Sequence, residues 1–135
     1  MSGENVELIK RAYEAWHVAG LDAFTQYWGE DARWRSIEGA PDDRGPIRGR
    51  AAVRAFVEDW QDTFAEFRVD LVELIDVDEE RVVAALRYGG RTKQSNVELP
   101  GTPMAAVFVI RHGQIVDGGE YETLAQALEA AGLSE

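Results

Sequence analysis

Few side chains in this 135-residue sequence are of types that do chemistry at neutral pH: it has two histidines and no cysteine. His17 and His112 are far apart and fall in different kinds of element, so neither forms a spaced pair for a transition metal. The second precedes Gly113 in a tight turn, where a solvated histidine needs no function. The acidic run Asp76-Val77-Asp78-Glu79-Glu80 reads as a solvated hairpin turn and lacks the glycine of a calcium loop. There is no glycine-rich phosphate loop, no helical zinc-binding pair and no nucleophile elbow. Carboxylate, tyrosine and arginine are what remain, and neither a metal nor a cofactor is expected. The aromatic residues carry more information. Trp16, Trp34, Phe56, Trp60 and Phe64 fall on inward faces, with Tyr13, Trp34 and Ser36 contributing polar groups among them. Apolar walls with a few convergent polar groups describe a small-molecule site, and the same residues serve equally well as core filler.

The composition narrows the partners. Twenty-five Asp and Glu oppose 14 Lys and Arg, for a formal charge of −11. Like-sign repulsion argues against a nucleic-acid or membrane-surface partner. The length fits one domain, residues 1–135, large enough to bury roughly two-thirds of its unfolded surface. No basic segment precedes an apolar stretch at the N-terminus and no stretch reaches bilayer length, so a cytoplasmic location is expected.

The elements that must position these residues can be read from periodicity. Val6, Ile9, Tyr13 and Trp16 recur at helical spacing over residues 4–19, and Gly20 suits a left-handed cap. Leu21, Phe24 and Trp28 mark a second short helix before Gly29. Asp31 to Ile37 alternates as a strand, and Glu38 to Pro46 is dense in turn residues. From Arg50, Val53, Phe56, Val57, Trp60 and Phe64 return to the helical period. Strands follow at Phe67–Val77, Arg81–Arg91, Met104–Arg111 and Gln114–Tyr121, with an irregular stretch from Gly89 to Pro103. Thr123 caps a last helix that Gly132 closes. Helices segregated from a run of antiparallel strands make the fold class α+β.

Several strings carry a resemblance over essentially the whole chain: Tyr13-Glu14-Ala15-Trp16 with Gly20-Leu21-Asp22, Glu30-Asp31-Ala32-Arg33-Trp34, Ile47-Arg48-Gly49-Arg50, Val109-Ile110-Arg111-His112-Gly113-Gln114 and Ala127-Leu128-Glu129-Ala130-Ala131-Gly132. The sequence resembles the SnoaL-like members of the nuclear transport factor 2-like, ketosteroid isomerase-like superfamily. The resemblance implies a cone-shaped, cystatin-like fold. In it a curved, mainly antiparallel sheet wraps three N-terminal helices, a short C-terminal helix follows, and a homodimer forms through the outer sheet face. In catalytic relatives a pocket carboxylate moves a proton while acidic donors hold the oxyanion.

Carried over residue by residue, Tyr13 matches the oxyanion-hole tyrosine. The catalytic aspartate falls at Ser36 and the second donor at about Ala106, so classical ketosteroid isomerisation is not expected. Glu38 shares parity with Ser36 if that strand continues, and Glu120 shares parity with Gly118 on the register that lines the relatives' pocket. Each is a candidate base, and each reads equally as a solvated edge carboxylate. Arg87 and Arg35 are candidate partners for them. Three functions stay open. One is a small-molecule binder whose internal pocket, lined by Trp16, Trp34, Ser36, Phe56, Trp60, Arg87, Ala106 and Phe108, takes a largely apolar ligand. The second is a cofactor-free isomerase, cyclase or hydrolase using Tyr13 with Glu120 or Glu38. The third is a homodimeric interaction module whose pocket the tryptophans fill.

Overall fold

The computed structural model describes residues 2–40 and 43–133; readings that fall on Met1, Pro41, Asp42, Ser134 and Glu135 lie outside these residues. The order is α1 (Ser2–Ala19), α2 (Leu21–Thr25), β1 (Arg33–Arg35), β2 (Pro46–Arg48), α3 (Arg50–Asp62), β3 (Phe64–Asp76), β4 (Arg81–Thr92), β5 (Glu98–Arg111), β6 (Gln114–Tyr121) and α4 (Leu124–Ala130). One curved, unclosed six-stranded sheet runs β2-β1-β6-β5-β4-β3. It is antiparallel except where β1 meets β6, a parallel contact at Arg35 and Gly119.

Periodicity explains the helices. In α1, Ile9, Ala12, Tyr13 and Trp16 are buried at spacings of three, one and three, while Glu7, Lys10, Arg11 and Glu14 face water. The Gly20 N–H closes the helix on the Trp16 carbonyl at 3.0 Å. In α3, Val53, Phe56 and Val57 form the buried stripe. No helix among the described residues is long and apolar enough to cross a membrane.

Strand alternation then sorts the sheet into two faces. Val82, Ala84 and Leu86 of β4, with Met104, Ala106 and Phe108 of β5, pack against the N-terminal helices in the main core. Their neighbours Val83, Ala105 and Val107 face outward and are covered by Ala127 of α4 and by Ala131 at its C-terminal end. That short helix is held at its start by a reciprocal cap: Thr123 Oγ1 accepts from the Gln126 N–H, and the Gln126 side chain accepts from the Thr123 N–H. Part of the outer face therefore belongs to α4.

Several boundaries depart from the periodicity. The second helix stops at Thr25, and Trp28 reaches the core through a turn and a bridge to Ile115. The first strand has three residues instead of seven, and Pro46, expected in a loop, opens β2 against it. Phe64 is not on α3 but begins β3 opposite Thr92, because the helix ends at Asp62 and Thr63 caps it. Register shifts interrupt β3 between Ala65 and Arg68, and β4–β5 pairing between Tyr88 and Gly90. At Gly89 a Cβ would strike the Leu99 carbonyl, so only glycine lets β5 approach there. Across Gly89 to Pro103 both strands extend, irregular at the shift beside Gly90, and they meet in a turn at residues 93–97.

Candidate functional site

The site is built around one strand position. In the β5–β6 ladder Ala106 pairs with Glu120 and Phe108 with Gly118. Since Ala106 and Phe108 face the helices, so does the Glu120 side chain. Gly118 makes room for what lies over it. Its φ is +153°, and a Cβ there would meet the Val107 carbonyl and stand 2.7 Å from Trp34 Cζ3. The missing side chain lets the Trp34 indole lie across β6. The Trp34 Nε1–H donates to Glu120 Oε2 at 2.9 Å. A donor fixed by packing and aimed at a carboxylate makes a charge-assisted bond of the stronger kind. Trp34 is itself fixed, stacked on Phe108 at 5.2 Å and edge-on to Trp28 at 5.2 Å.

Behind Glu120 lies a narrow chamber of about 20 Å³, whose wall includes Tyr13, Trp16, Trp28, Trp34, Trp60, Ala106 and Phe108. Tyr13 is held far above the ordinary tyrosine pKa, first by burial and second by the negative charge of Glu120. Its hydroxyl therefore keeps its proton at any physiological pH and can act as a donor. In front of Glu120 lies an open cleft of about 570 Å³, formed where β1 stops at Arg35 while β6 runs on to Tyr121. Its walls are mixed, with Arg35, Ser36, Glu38, Tyr121, Gln126 and Glu129 among Ile37, Gly118, Gly119 and Ala130. Glu120 lines both spaces.

The expected site residues divide accordingly. Tyr13, Trp16, Trp34, Trp60, Ala106, Phe108 and Glu120 come together around the chamber. Trp60 closes its outer wall, half-buried and edge-on to Phe67 at 4.9 Å and Tyr88 at 5.2 Å. Two expected pocket positions, Arg87 and Phe56, are corrected, while Ser36 and Glu38 lie at the cleft. Arg87 is on the outer face, exposed, with Nη1 donating to the Gly101 carbonyl at 3.0 Å. Phe56 is buried in the core away from the chamber wall, beneath the Arg44 guanidinium 5.4 Å from its ring centroid. Ser36 is buried and borders the cleft, its hydroxyl donating to Asp43 Oδ1 at 3.3 Å. Glu38 lies beyond the end of β1, its side chain 88% exposed, so strand parity does not apply to it.

The internal apolar pocket is narrow. Its space is occupied by the aromatic side chains themselves, and the larger volume lies outside, among polar groups.

Asp43 was not among the sequence candidates. Its carboxylate accepts from the Gly39 and Gly45 backbone N–H groups, each at 2.9 Å, and from Arg35 at 3.3 Å. These bonds, the backbone ones foremost, hold its pKa below the usual carboxylate value. Asp43 thereby ties the loop after β1 to the cleft wall. Trp28, Phe24, Val69, Leu86 and Met104 also border the chamber. The inward parity of Leu86 and Met104 was available from strand alternation; Trp28 sits in a turn, where no periodicity applies. Among the described residues no group of three or more His, Cys, Asp or Glu is placed to hold a metal.

Comparison with known proteins identifies the architecture. The model of the SnoaL-like domain family matches residues 9–118. No curated protein matches the sequence. Among solved structures, an NTF2-like protein of unknown function from Burkholderia pseudomallei K96243 is similar with a TM-score of 0.75 at 21% identity, covering 93% of this chain and 95% of its own. A protein with a ketosteroid isomerase-like fold from Catenulispora acidiphila, in complex with trimethylamine, has a TM-score of 0.71 at 20% identity, with 94% and 93% covered. TerC co-crystallised with polyporic acid has a TM-score of 0.74 at 18% identity, with 93% and 98% covered. At these identities the likeness speaks for the fold, and activity must be argued from the site.

Proposed function

The chain belongs to the SnoaL-like domain family, and from that premise we propose that it is a small-molecule protein whose working group is Glu120, a carboxylate that exchanges protons with a ligand seated in the cleft. One observation carries this reading. Glu120 is an acid that borders both the narrow aromatic chamber and the larger cleft, oriented by the Trp34 indole at 2.9 Å. A carboxylate with one face toward apolar surroundings and a fixed hydrogen bond is equipped for general acid–base work, provided substrate can reach it. The cleft supplies that access, and its volume falls within the roughly 300–1,000 Å³ of small-molecule sites. The chamber is far below that range, so the bulk of a ligand stays in the cleft. Tyr13, protonated under all working conditions, is the donor available on the chamber side. Relatives of the same fold crystallised with trimethylamine and with polyporic acid support a ligand-binding role.

The cleft walls select the ligand. Arg35 and Ser36 oppose Gln126 and Glu129, so the seated molecule is polar on its flanks and presents an acidic C–H or O–H group to Glu120. Mapping by amide and indole NMR with compact cyclic ketones as probes tests the location. The expected result is shifts at Ser36, Gly119, Tyr121, Gln126 and the Trp34 indole. Shifts confined to the outer face around Arg87, or none at millimolar probe, contradict it.

A homodimer through the outer sheet face is proposed for the part that α4 leaves uncovered, where the cross-strand partners Asp70 and Arg87 lie near Val72, which is 57% exposed. Sedimentation that stays monomeric at high concentration contradicts it.

A further inference from the structure

The cleft extends over the outer face of the sheet. In the β5–β6 ladder Gly119 pairs with Val107 and Tyr121 with Ala105. Val107 and Ala105 face outward, so Gly119 and the Tyr121 ring do too. Arg35 is the β1 neighbour of Gly119. A Cβ at Gly119 would stand 3.6 Å from Arg35 Cβ and 4.0 Å from the Tyr121 hydroxyl oxygen. The bare backbone at Gly119 is therefore a floor with a tyrosine hydroxyl beside it and an arginine at its edge. Gln126, Glu129 and Ala130 of α4 also line this space.

What the floor can hold depends on which donors around it are uncommitted. The Ser36 hydroxyl donates to Asp43, and the Arg35 guanidinium meets the carboxylates of Asp43 at 3.3 Å and Glu38 at 3.9 Å. Gln126 differs at its two ends. Its Oε1 accepts from the backbone N–H groups of Glu122 at 3.1 Å and Thr123 at 3.3 Å. Two N–H donors can face only the carboxamide oxygen, so the amide orientation is fixed by chemistry and its N–H₂ group is left without a partner among the described residues. The Tyr121 hydroxyl has no partner among them either. Charge then narrows the ligand. The cleft carries Glu38, Glu120, Glu122 and Glu129 against Arg35 alone, whose charge Asp43 and Glu38 already meet. An anion is repelled there, and a neutral acceptor is not.

We propose that Tyr121 and Gln126 are the specificity residues of the cleft: the tyrosine hydroxyl and the carboxamide N–H₂ donate to the carbonyl oxygen of a neutral ketone or amide lying on Gly119. This rests on the reading of the cleft as the ligand's seat and does not depend on which acid moves a proton. Gln126 has two tasks, closing the helix cap with its oxygen and reading the ligand with its nitrogen. That accounts for glutamine at a position where glutamate caps as well. A glutamate there would keep the cap, lose the donor and add a further negative charge to the cleft.

The test is titration of the ¹⁵N-labelled protein with cyclohexanone and, separately, with cyclohexanecarboxylate, followed at the Gly119 and Ala130 amides. The native protein is expected to bind the ketone at least about tenfold more tightly than the carboxylate. Tyr121→Phe and Gln126→Glu are each expected to weaken ketone binding about threefold to tenfold, the scale of one neutral hydrogen bond. Their unfolding midpoints are expected to stay at the native value, because phenylalanine keeps the ring against the cluster under α4 and glutamate keeps the cap. Either variant alone suffices if the other does not fold. Unchanged ketone affinity in a folded variant, or carboxylate binding as tight as ketone binding, overturns the proposal. The two readings are told apart in the native protein. Ketone shifts at Gly119 and Ala130 that neither variant alters remove only the roles of Tyr121 and Gln126, whereas the absence of shifts at these amides removes the cleft as the ligand's seat and the proposal with it.

Discussion

The chamber behind Glu120 and the cleft in front of it differ about thirtyfold in volume, near 20 Å³ against 570 Å³, and they differ as much in what made them. The chamber is what remains after close-packed rings have met: Trp34 on Phe108, Tyr13 on Phe24 at 5.2 Å, Trp16 on Phe24 at 4.6 Å. The cleft exists because one strand is short. β1 ends at Arg35, so the edge of β6 beyond Gly119 has no strand beside it, and a loop held by Asp43 forms the opposite wall. One space is set by packing; the other is set by backbone length and a polar loop. Glu120 borders both, and the Trp34 indole fixes its orientation.

That contrast can be broken from the chamber side with the largest effect. Phe108 is 1% exposed and stacks on Trp34. Phe108→Ala is expected to cost about 3–5 kcal/mol in denaturant unfolding and to enlarge the chamber enough for larger apolar probes to enter. A loss below about 1 kcal/mol would mean that the aromatic core does not set the chamber. Trp34→Phe keeps a ring and removes the donor to Glu120. It is expected to cost about 1.5–3 kcal/mol, the range for hydrogen bonds to charged groups, and to loosen the carboxylate, seen as broadening or doubling of the Glu120 side-chain NMR signal. An unchanged signal would mean that Trp34 does not orient the acid.

On the cleft side the effect is smaller and depends on pH. The Asp43 pKa is lowered in the folded protein by the Gly39 and Gly45 N–H groups, then by Arg35 and Ser36. A lowered pKa contributes stability that is fully present above the unfolded value of about 3.9 and is lost as pH falls through the folded value. Asp43→Asn should therefore be less stable than the native protein at pH 7, with the difference shrinking below about pH 4. A difference that persists unchanged at low pH contradicts the assignment. Glu38→Gln, on a side chain 88% exposed, is expected to change stability by less than about 0.5 kcal/mol.

The same contrast explains which parts were legible in the sequence. The inward stripe of α1, the His112-Gly113 turn and the Thr123 cap follow from local spacing, and the structure has them. Glu120 could be placed on the inward face by counting two residues from Gly118. Arg87 could not be placed reliably, because β4 is apolar on both faces. Val82, Ala84 and Leu86 face the helices, and Val83 faces α4, so the alternation that separates inside from outside is hidden. Ser36 and Glu38 reach the cleft from the loop after β1 and not from a longer strand, and that loop is held by Asp43, whose bonds are invisible to periodicity. Chamber size was not legible either: the same five aromatic positions could line a cavity or fill it, and packing in three dimensions decides.

The central claim is that Glu120, at the wall shared by the two spaces, is the group that exchanges protons with a ligand. The direct measurement is the rate of α-hydrogen exchange of cyclic ketone probes in D₂O, catalysed by the native protein, Glu120→Gln and Glu38→Gln. The account predicts catalysed exchange in the native protein and in Glu38→Gln, falling at least about 100-fold in Glu120→Gln, the usual scale of a general base. Equal rates in the native protein and Glu120→Gln, or a loss in Glu38→Gln instead, would contradict it.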